Sequence, residues 1–477
     1  MLGSTLWLTL ATLTGLAAGF AREWLLVAAW GAGAQSDAFL VSMFLPEALR
    51  MALAGGLLSA AALPLYQQRD EHQQRRWLAG LTLPLVLGAV LLGLLLSMGS
   101  GLWVRLIGPG LQAGAYAQAA NSLQWLAWCA PGFVLHALLC VPLQARARFV
   151  LAGLGSLLFN LPPVLYLAVQ GHVASPMGLA GACLLGSLLM PAVLLPSLCR
   201  LGWRPWQRDA ETFAVRELLQ RIGPLLGSNL ASQGLALLER MVASLLGEGA
   251  VTWINLARKL INLPLIALMS LNQVLLGLMS ASAGQQRLDL LRRGLASATL
   301  LTLPAVAGLI GAAGALVVLL LPQQTHGGPL PALLAWFATP LLFNAWNALL
   351  ARYAYADGDT RLPLNCELLG SLCNAVLLAL LPWALGIDGI ALAALGGALL
   401  TGALLLRRQG LTQVTPWRRH GLLAMLVMLL AALLLHPLQS IVLQLTLATL
   451  YGAALLAGLG LWLKPWRMQV PAEQADV

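Results

Sequence analysis

Fourteen mostly apolar stretches, each about long enough to cross a bilayer, leave this chain few folds to choose from. A membrane-spanning helix needs about 20 such residues. The sequence supplies them at 5–29, 37–65, 77–104, 118–142, 149–169, 176–199, 217–246, 250–282, 294–321, 330–351, 363–384, 387–406, 420–436 and 440–463. The expected fold is an all-α integral membrane protein of about fourteen transmembrane helices. The thirteenth stretch is short, and His436-Pro437 predicts a tight hairpin between the last two.

Composition agrees. Hydrophobic residues are 59% of the chain and charged residues 9%, with a mean hydropathy of +0.82. A soluble domain carries roughly a quarter charged residues, so the three soluble domains that 477 residues would suggest are not expected. A net charge of +10 raises nucleic acid as a partner. Its distribution argues against it: only Lys259 and Lys464 are lysine, and most arginines sit in short loops between apolar stretches. Six cysteines, Cys129, Cys140, Cys183, Cys199, Cys366 and Cys373, lie in or beside apolar segments without a C-x-x-C. They read as small buried hydrophobes, not a disulfide framework or a metal site. The first stretch lacks a basic leader and carries Arg22 and Glu23, so it reads as a retained helix and not a signal peptide.

The arginines also orient the chain. With the N-terminus in the cytoplasm, 21 of the 27 basic residues fall in cytoplasmic segments and one, Arg105, on the other side. Cytoplasmic loops carry that excess, so both termini are expected in the cytoplasm. The longest such loop, about 200–216, divides the first twelve helices into two sets of six. Leu154-Gly155-Ser156-Leu157, ending at Asn160, echoes Leu369-Gly370-Ser371-Leu372, ending at Asn374. Repeated halves with a substrate site between them are a common transporter plan. The expected division is 1–204, 205–410 and 411–477, the last holding helices 13 and 14 and a tail.

Five basic residues lie within spans: Arg22, Arg50, Arg240, Arg258 and Lys259. A charge at the bilayer centre costs at least about 2.5–3.5 kcal/mol on insertion scales, so it usually faces a cavity and works there. Glu47 and Arg50 are three apart and share a helix face, where an intrahelical ion pair competes with a functional role. Arg22 and Glu23 are adjacent and point in different directions, so they are not expected to neutralise each other in that way. Arg258 has Ile254, Asn255, Ile261 and Asn262 three and four positions away, so its partner comes from another helix or from an anion. A guanidinium is a planar fork suited to phosphate. Arg22, Arg50 and Arg258 are therefore the expected anion ligands. Asp37 is a further candidate for substrate binding, and Glu23, Glu47 and Glu239 are charged candidates for the cavity or for ion coupling. Arg240 and Lys259 each follow a stronger candidate by one residue and project about 100° away. The six histidines are scattered, and H-E-x-x-H, Walker A and G-x-S-x-G are absent, so no catalytic or nucleotide site is expected.

These residues form a recognisable series. Gly19-Phe20-Ala21-Arg22-Glu23 is followed by Gly31-Ala32-Gly33, Asp37-Ala38-Phe39, Leu45-Pro46, Leu49-Arg50 and Leu58-Ser59-Ala60-Ala61, ending at Pro64. Ala257-Arg258-Lys259-Leu260 precedes Pro264, and Ala351-Arg352-Tyr353 leads to Asp359-Thr360-Arg361-Leu362-Pro363. In order, spacing and helix count the chain resembles the MviN/MurJ-type lipid II flippase family of the multidrug/oligosaccharidyl-lipid/polysaccharide exporter superfamily. The resemblance covers essentially the whole chain and is most specific in the first seventy residues.

That resemblance implies two six-helix lobes in a V-shaped arrangement around a central cavity, plus a final helix pair lining a groove for a lipid tail. It implies an undecaprenyl-pyrophosphate-linked glycan as substrate, carried outward across the bacterial inner membrane by alternating access. Arg22, Arg50 and Arg258 match the family's functional arginines and Asp37 its acidic position. No cofactor is expected, beyond coupling to membrane potential or an ion gradient. Membrane lipids and glycosyltransferase or polymerase partners are expected, with the monomer as the working unit. Three departures make the cavity less charged than in family members that flip lipid II: Leu16 and Met51 stand where those typically have arginine, and Gly55 where they have glutamate. These weigh toward another lipid-linked glycan, such as an exopolysaccharide unit, over peptidoglycan's lipid II.

Two other functions are disfavoured. A membrane glycosyl or phosphoglycosyl transferase or polymerase usually needs sizeable extramembrane loops, and none here exceeds roughly twenty residues. A small-molecule or cation exporter would favour acidic cavity residues over three arginines.

Overall fold

In a computed structural model, residues 2–54, 56–146, 148–200, 202, 214–262, 275, 278–321, 328–412, 417–435, 438 and 440–463 are described. Among them the regular structure is helical, without a strand. Ten helical segments are long and apolar enough to cross a membrane, and His420–Leu434 is a shorter apolar helix. Most of the sequence-based stretches coincide with helices in type and approximate place; residues 263–274 of the 250–282 stretch lie outside the described residues, and a full set of fourteen is not counted among those that are described.

Two compact units divide the chain, Met1–Thr252 and Trp253–Val477. In the first, α1 is Leu2–Trp30, α2 Ala34–Ala54, α3 Leu57–Gln67, α4 Glu71–Met98, α5 Ser100–Ile107, α6 Ala113–Leu126, α7 Cys129–Ala145, α8 Phe149–Gly153, α9 Gly155–Gln170, α10 Pro176–Arg200 and α11 Ala214–Leu245. The next helix, α12, is Ala250–Asn262. The second unit continues with α13 Gly284–Leu320, α14 Leu330–Ala356, α15 Arg361–Leu385, α16 Asp388–Arg408, α17 Trp417–Leu434 and α18 Ile441–Leu463.

Several expected spans are interrupted. The second breaks between α2 and α3, where Gly56 adopts φ 89°, a left-handed conformation that a side chain disfavours. Nothing lies near a Cβ built there, so conformation and not space demands the glycine. The third gives way at Gly99 to α5, and the fourth breaks after α6 near Ala127. Conversely, α13 begins at Gly284, ten residues before the expected span, so Arg287, Arg292 and Arg293 extend a helix instead of occupying a loop. Most of the 200–216 loop, the His436-Pro437 hairpin and Gly55 lie outside the described residues.

Within the first unit, α1 packs on α9, α9 on α10, α10 on α7, and α2 on α6 and α7. The start of α11 joins a core built around Trp77, Tyr66, Leu138, Leu198 and Leu218. Glu217 accepts hydrogen bonds from Arg69 Nη2 at 2.6 Å and Trp77 Nε1 at 3.3 Å, tying α11 to the turn after α3 and to α4. Small residues let these helices approach. A Cβ at Gly186 of α10 would overlap the Phe159 carbonyl of α9.

In the second unit, α13 packs on α14, α17 and α18, and α16 on α14 and α15. Gln444 of α18 is buried, and its Nε2 donates to Gly311 O at 2.9 Å and Leu435 O at 3.2 Å. The outward faces of α17 and α18 are apolar, with Leu422, Leu433, Val442 and Leu461 more than 60% exposed. That face suits lipid and not water.

Candidate functional site

Gly15, Gly19 and Arg22 recur at intervals of four and three, which places them on one face of α1. That face meets α9. A Cβ at Gly15 would stand 2.8 Å from Ser156 Cβ, and one at Gly19 would stand 3.5 Å from Asn160 Nδ2. The close approach carries Arg22 to Phe159, its guanidinium 5.7 Å from the ring centroid. From α2, Arg50 comes to 5.0 Å of the same ring. Both distances lie within cation–π range. Phe159 is fully buried and packs edge-on against Phe133 at 5.1 Å, so the ring is a fixed platform for two arginines.

Each arginine also holds a carboxylate. Arg50 donates from Nε to Glu47 Oε2 at 3.2 Å and from Nη2 to Glu47 Oε1 at 2.6 Å, a fork one helical turn apart on α2. Arg22 donates from Nη2 to Glu23 Oε1 at 2.6 Å. The expectation that adjacency keeps Arg22 and Glu23 from pairing is therefore corrected. The long arginine side chain folds back across the angle separating the two residues. Arg22 Nη1 makes no hydrogen bond among the described residues and stands 3.8 Å from Glu47 Oε2, linking the two pairs. Arg22, Glu23 and Arg50 are buried, and the Glu47 side chain is 20% exposed. Two cations thus meet two carboxylates, and the Glu47–Arg50 pair is the one that their spacing on α2 allowed for.

Asp37 does not join this cluster. It lies thirteen positions before Arg50, about 20 Å along an α-helix. Its Oδ2 accepts from Gly249 N at 2.6 Å, and its Oδ1 from Thr252 N at 2.8 Å and Thr252 Oγ1 at 2.5 Å. Those amides open α12. A first-turn carboxylate satisfies N–H groups that lack helical partners and complements the helix dipole. Asp37, expected as a substrate ligand, is a cap supplied from another helix.

On α11, Arg240 Nη1 donates to Leu40 O at 2.6 Å, and its guanidinium lies 5.0 Å from the Phe44 ring. Glu239 beside it is half-buried. In the second unit Arg258 is exposed, its guanidinium 4.9 Å from the Phe337 ring, and Lys259 is half-buried.

A cavity of about 360 Å³ opens inside the first unit beside this cluster. Arg50, Ser59, His136, Gln144 and Ser156 give it polar lining, and Leu16 and Phe133 apolar lining. Met51, the other departure in the described residues, is 51% exposed. Among the described residues, no group of three or more His, Cys, Asp or Glu could hold a metal. Sequence reasoning missed Phe159 and His136. Phe159 borders the Leu-Gly-Ser-Leu echo, but nothing in its apolar neighbourhood marks it as a platform.

Residues 26–458 match the protein family described as lipid II flippase MurJ. "Probable lipid II flippase MurJ" of Vibrio cholerae is 27% identical over 445 residues, covering 85% of this chain and 83% of that protein. "Lipid II flippase MurJ" of Burkholderia cenocepacia is 27% identical over 458 residues, covering 89% and 87%. A relative from Aquifex aeolicus is 26% identical over 273 residues, covering 55% of this chain and 53% of that protein. In fold, the chain matches a structure titled lipid II flippase MurJ, inward closed conformation. The TM-score is 0.82 and the identity 18%, with 96% and 99% of the two chains covered. An inward-facing multidrug resistance MATE family transporter matches with a TM-score of 0.69 and 15% identity, over 84% and 95%.

Proposed function

The chain belongs to the MurJ family, a multi-pass membrane transporter and not an enzyme, and we propose that it flips lipid II across the bacterial inner membrane for peptidoglycan synthesis. The names of its curated relatives support that substrate. The observation that carries the reading is the buried pair Arg22 and Arg50, brought by α1 and α2 to one aromatic platform. Buried guanidinium groups are suited to pyrophosphate, the part common to every polyprenyl-pyrophosphate-linked glycan. In this reading Arg22, Arg50 and Arg258 hold the pyrophosphate, and Glu23, Glu47 and Glu239 balance charge or couple an ion.

Alternating access between lobes 1–204 and 205–410, with 411–477 adding the final helix pair, supplies the movement. Both termini are cytoplasmic, as the arginine distribution argues. Membrane potential or an ion gradient drives the cycle. The protein works as a monomer alongside the enzymes that build and use its substrate.

A second reading, an exopolysaccharide unit on the same carrier, draws on Leu16 and Met51, exposed apolar side chains beside the site. Complementation separates the two. Rescue of a strain depleted of its lipid II flippase supports peptidoglycan, and failure by a well-expressed protein rejects it. In liposomes, Arg22→Ala and Arg258→Ala should insert yet lose translocation of labelled lipid-linked glycan. Normal transport by both would sink the site assignment.

A further inference from the structure

We propose that binding of the pyrophosphate at Arg22 and Arg50 is linked to proton uptake by Glu47 and Glu23. The proposal rests on the reading of those arginines as pyrophosphate ligands. Its starting point is that the arginines are already engaged. Arg50 gives Nε and Nη2 to Glu47, and Arg22 gives Nη2 to Glu23 and stands near Glu47. Among the described residues, the surroundings add no spare arginine or lysine. Arg240 from α11 interacts electrostatically with Glu23, Glu47, Asp37 and its neighbour Glu239. The remaining titratable neighbours among the described residues are the thiols Cys129 from α7 and Cys183 from α10, and the His136 imidazole of α7, which lines the cavity together with Arg50. With Asp37 committed to the start of α12, Arg22, Arg50 and Arg240 therefore face Glu23, Glu47 and Glu239, three cations against three carboxylates.

An anion cannot simply be added to such a site. Burying uncompensated charge is costly, and a buried carboxylate stripped of its cation is better off neutral. A pyrophosphate diester carries two negative charges. Taking the two guanidinium groups as partners, it displaces Glu47 and Glu23, and each displaced carboxylate accepts one proton. Two negative charges enter with the ligand, and when both displaced carboxylates are protonated two protons follow, which leaves the net charge of the site unchanged. The cavity beside Arg50 is mostly apolar but carries Ser59, His136, Gln144 and Ser156 on its wall, and it is roomy enough for these groups to hold the water that delivers those protons.

The test is titration calorimetry on the purified full-length protein with a short pyrophosphate diester, P1-geranyl P2-methyl pyrophosphate, which keeps its charge between pH 6 and pH 8. Each linked proton changes apparent affinity by up to about tenfold per pH unit. Affinity is expected to rise at least about tenfold from pH 8 to pH 6. Buffers of different ionisation enthalpy should show net proton uptake. Glu47→Gln should bind more tightly than the parent at pH 8, with a flattened pH dependence. Glu23→Gln provides the same readout if the first variant misfolds. Binding that is independent of pH and takes up no proton overturns the linkage and leaves the site reading intact. A pH slope unchanged in both glutamine variants also overturns it. No saturable binding by the parent or either variant at any pH overturns the site reading, and the linkage with it.

Discussion

Asp37, in the first turn of α2, accepts the backbone amides of Gly249 and Thr252, more than two hundred residues away, and so caps α12. Its carboxylate is almost fully buried, and its other partner is the Thr252 hydroxyl.

Removing that carboxylate should cost stability before it costs anything else. Side-chain caps are worth about 0.5–2 kcal/mol. Asp37→Ala should lower the melting temperature by a few degrees, and Asp37→Asn, which keeps one acceptor oxygen, by less. Thermal unfolding in detergent checks the order. Equal melting temperatures for parent and Asp37→Ala would show that the cap is dispensable.

The Arg22–Glu23 and Glu47–Arg50 pairs should behave as one unit. Leaving a buried charge without its partner costs about 3–5 kcal/mol, whereas removing both members costs less. Glu23→Leu alone should destabilise strongly, and Arg22→Met combined with Glu23→Leu should recover much of the loss. A thermodynamic cycle over the four proteins measures the coupling. Additive effects would mean that the 2.6 Å contact contributes little.

Glu217 predicts a milder result. It joins α11 to Arg69 and Trp77, but its side chain is 38% exposed. Solvent screening limits such a pair to about 1 kcal/mol or less. Glu217→Gln should fold with a melting temperature within a few degrees of the parent. A collapse in expression would assign it a larger role.

Gly186 is the sharpest packing test. A methyl group there meets the Phe159 carbonyl, so Gly186→Ala must push α9 from α10 and move the ring under both arginines. Overpacking of this kind typically costs about 1–3 kcal/mol. Transport should fall further than stability, since the platform shifts while the bundle survives. Full transport activity with a lowered melting temperature would separate the ring from function.

Some of the site was legible in residue spacing. Glu47 and Arg50, three apart, were expected on one face and do pair. Gly15, Gly19 and Arg22 are spaced for a single face of α1, though their use as a close-packing edge against α9 appears only in three dimensions. Adjacency misled at Arg22 and Glu23, because direction along a helix ignores how far an arginine can bend. Asp37 matched an acidic position by resemblance, and only its contacts show what it holds.

The sequence by itself determined the membrane-spanning class, the basic bias of its short loops and the identity of the charges that lipid cannot tolerate. Those properties are local, set by hydrophobic length and by helical repeat. Tertiary structure decided what these charges touch beyond their own helices: the Phe159 ring for both arginines, and the start of α12 for Asp37. Such partners depend on distances between helices far apart in the chain, and no periodicity within one helix encodes them.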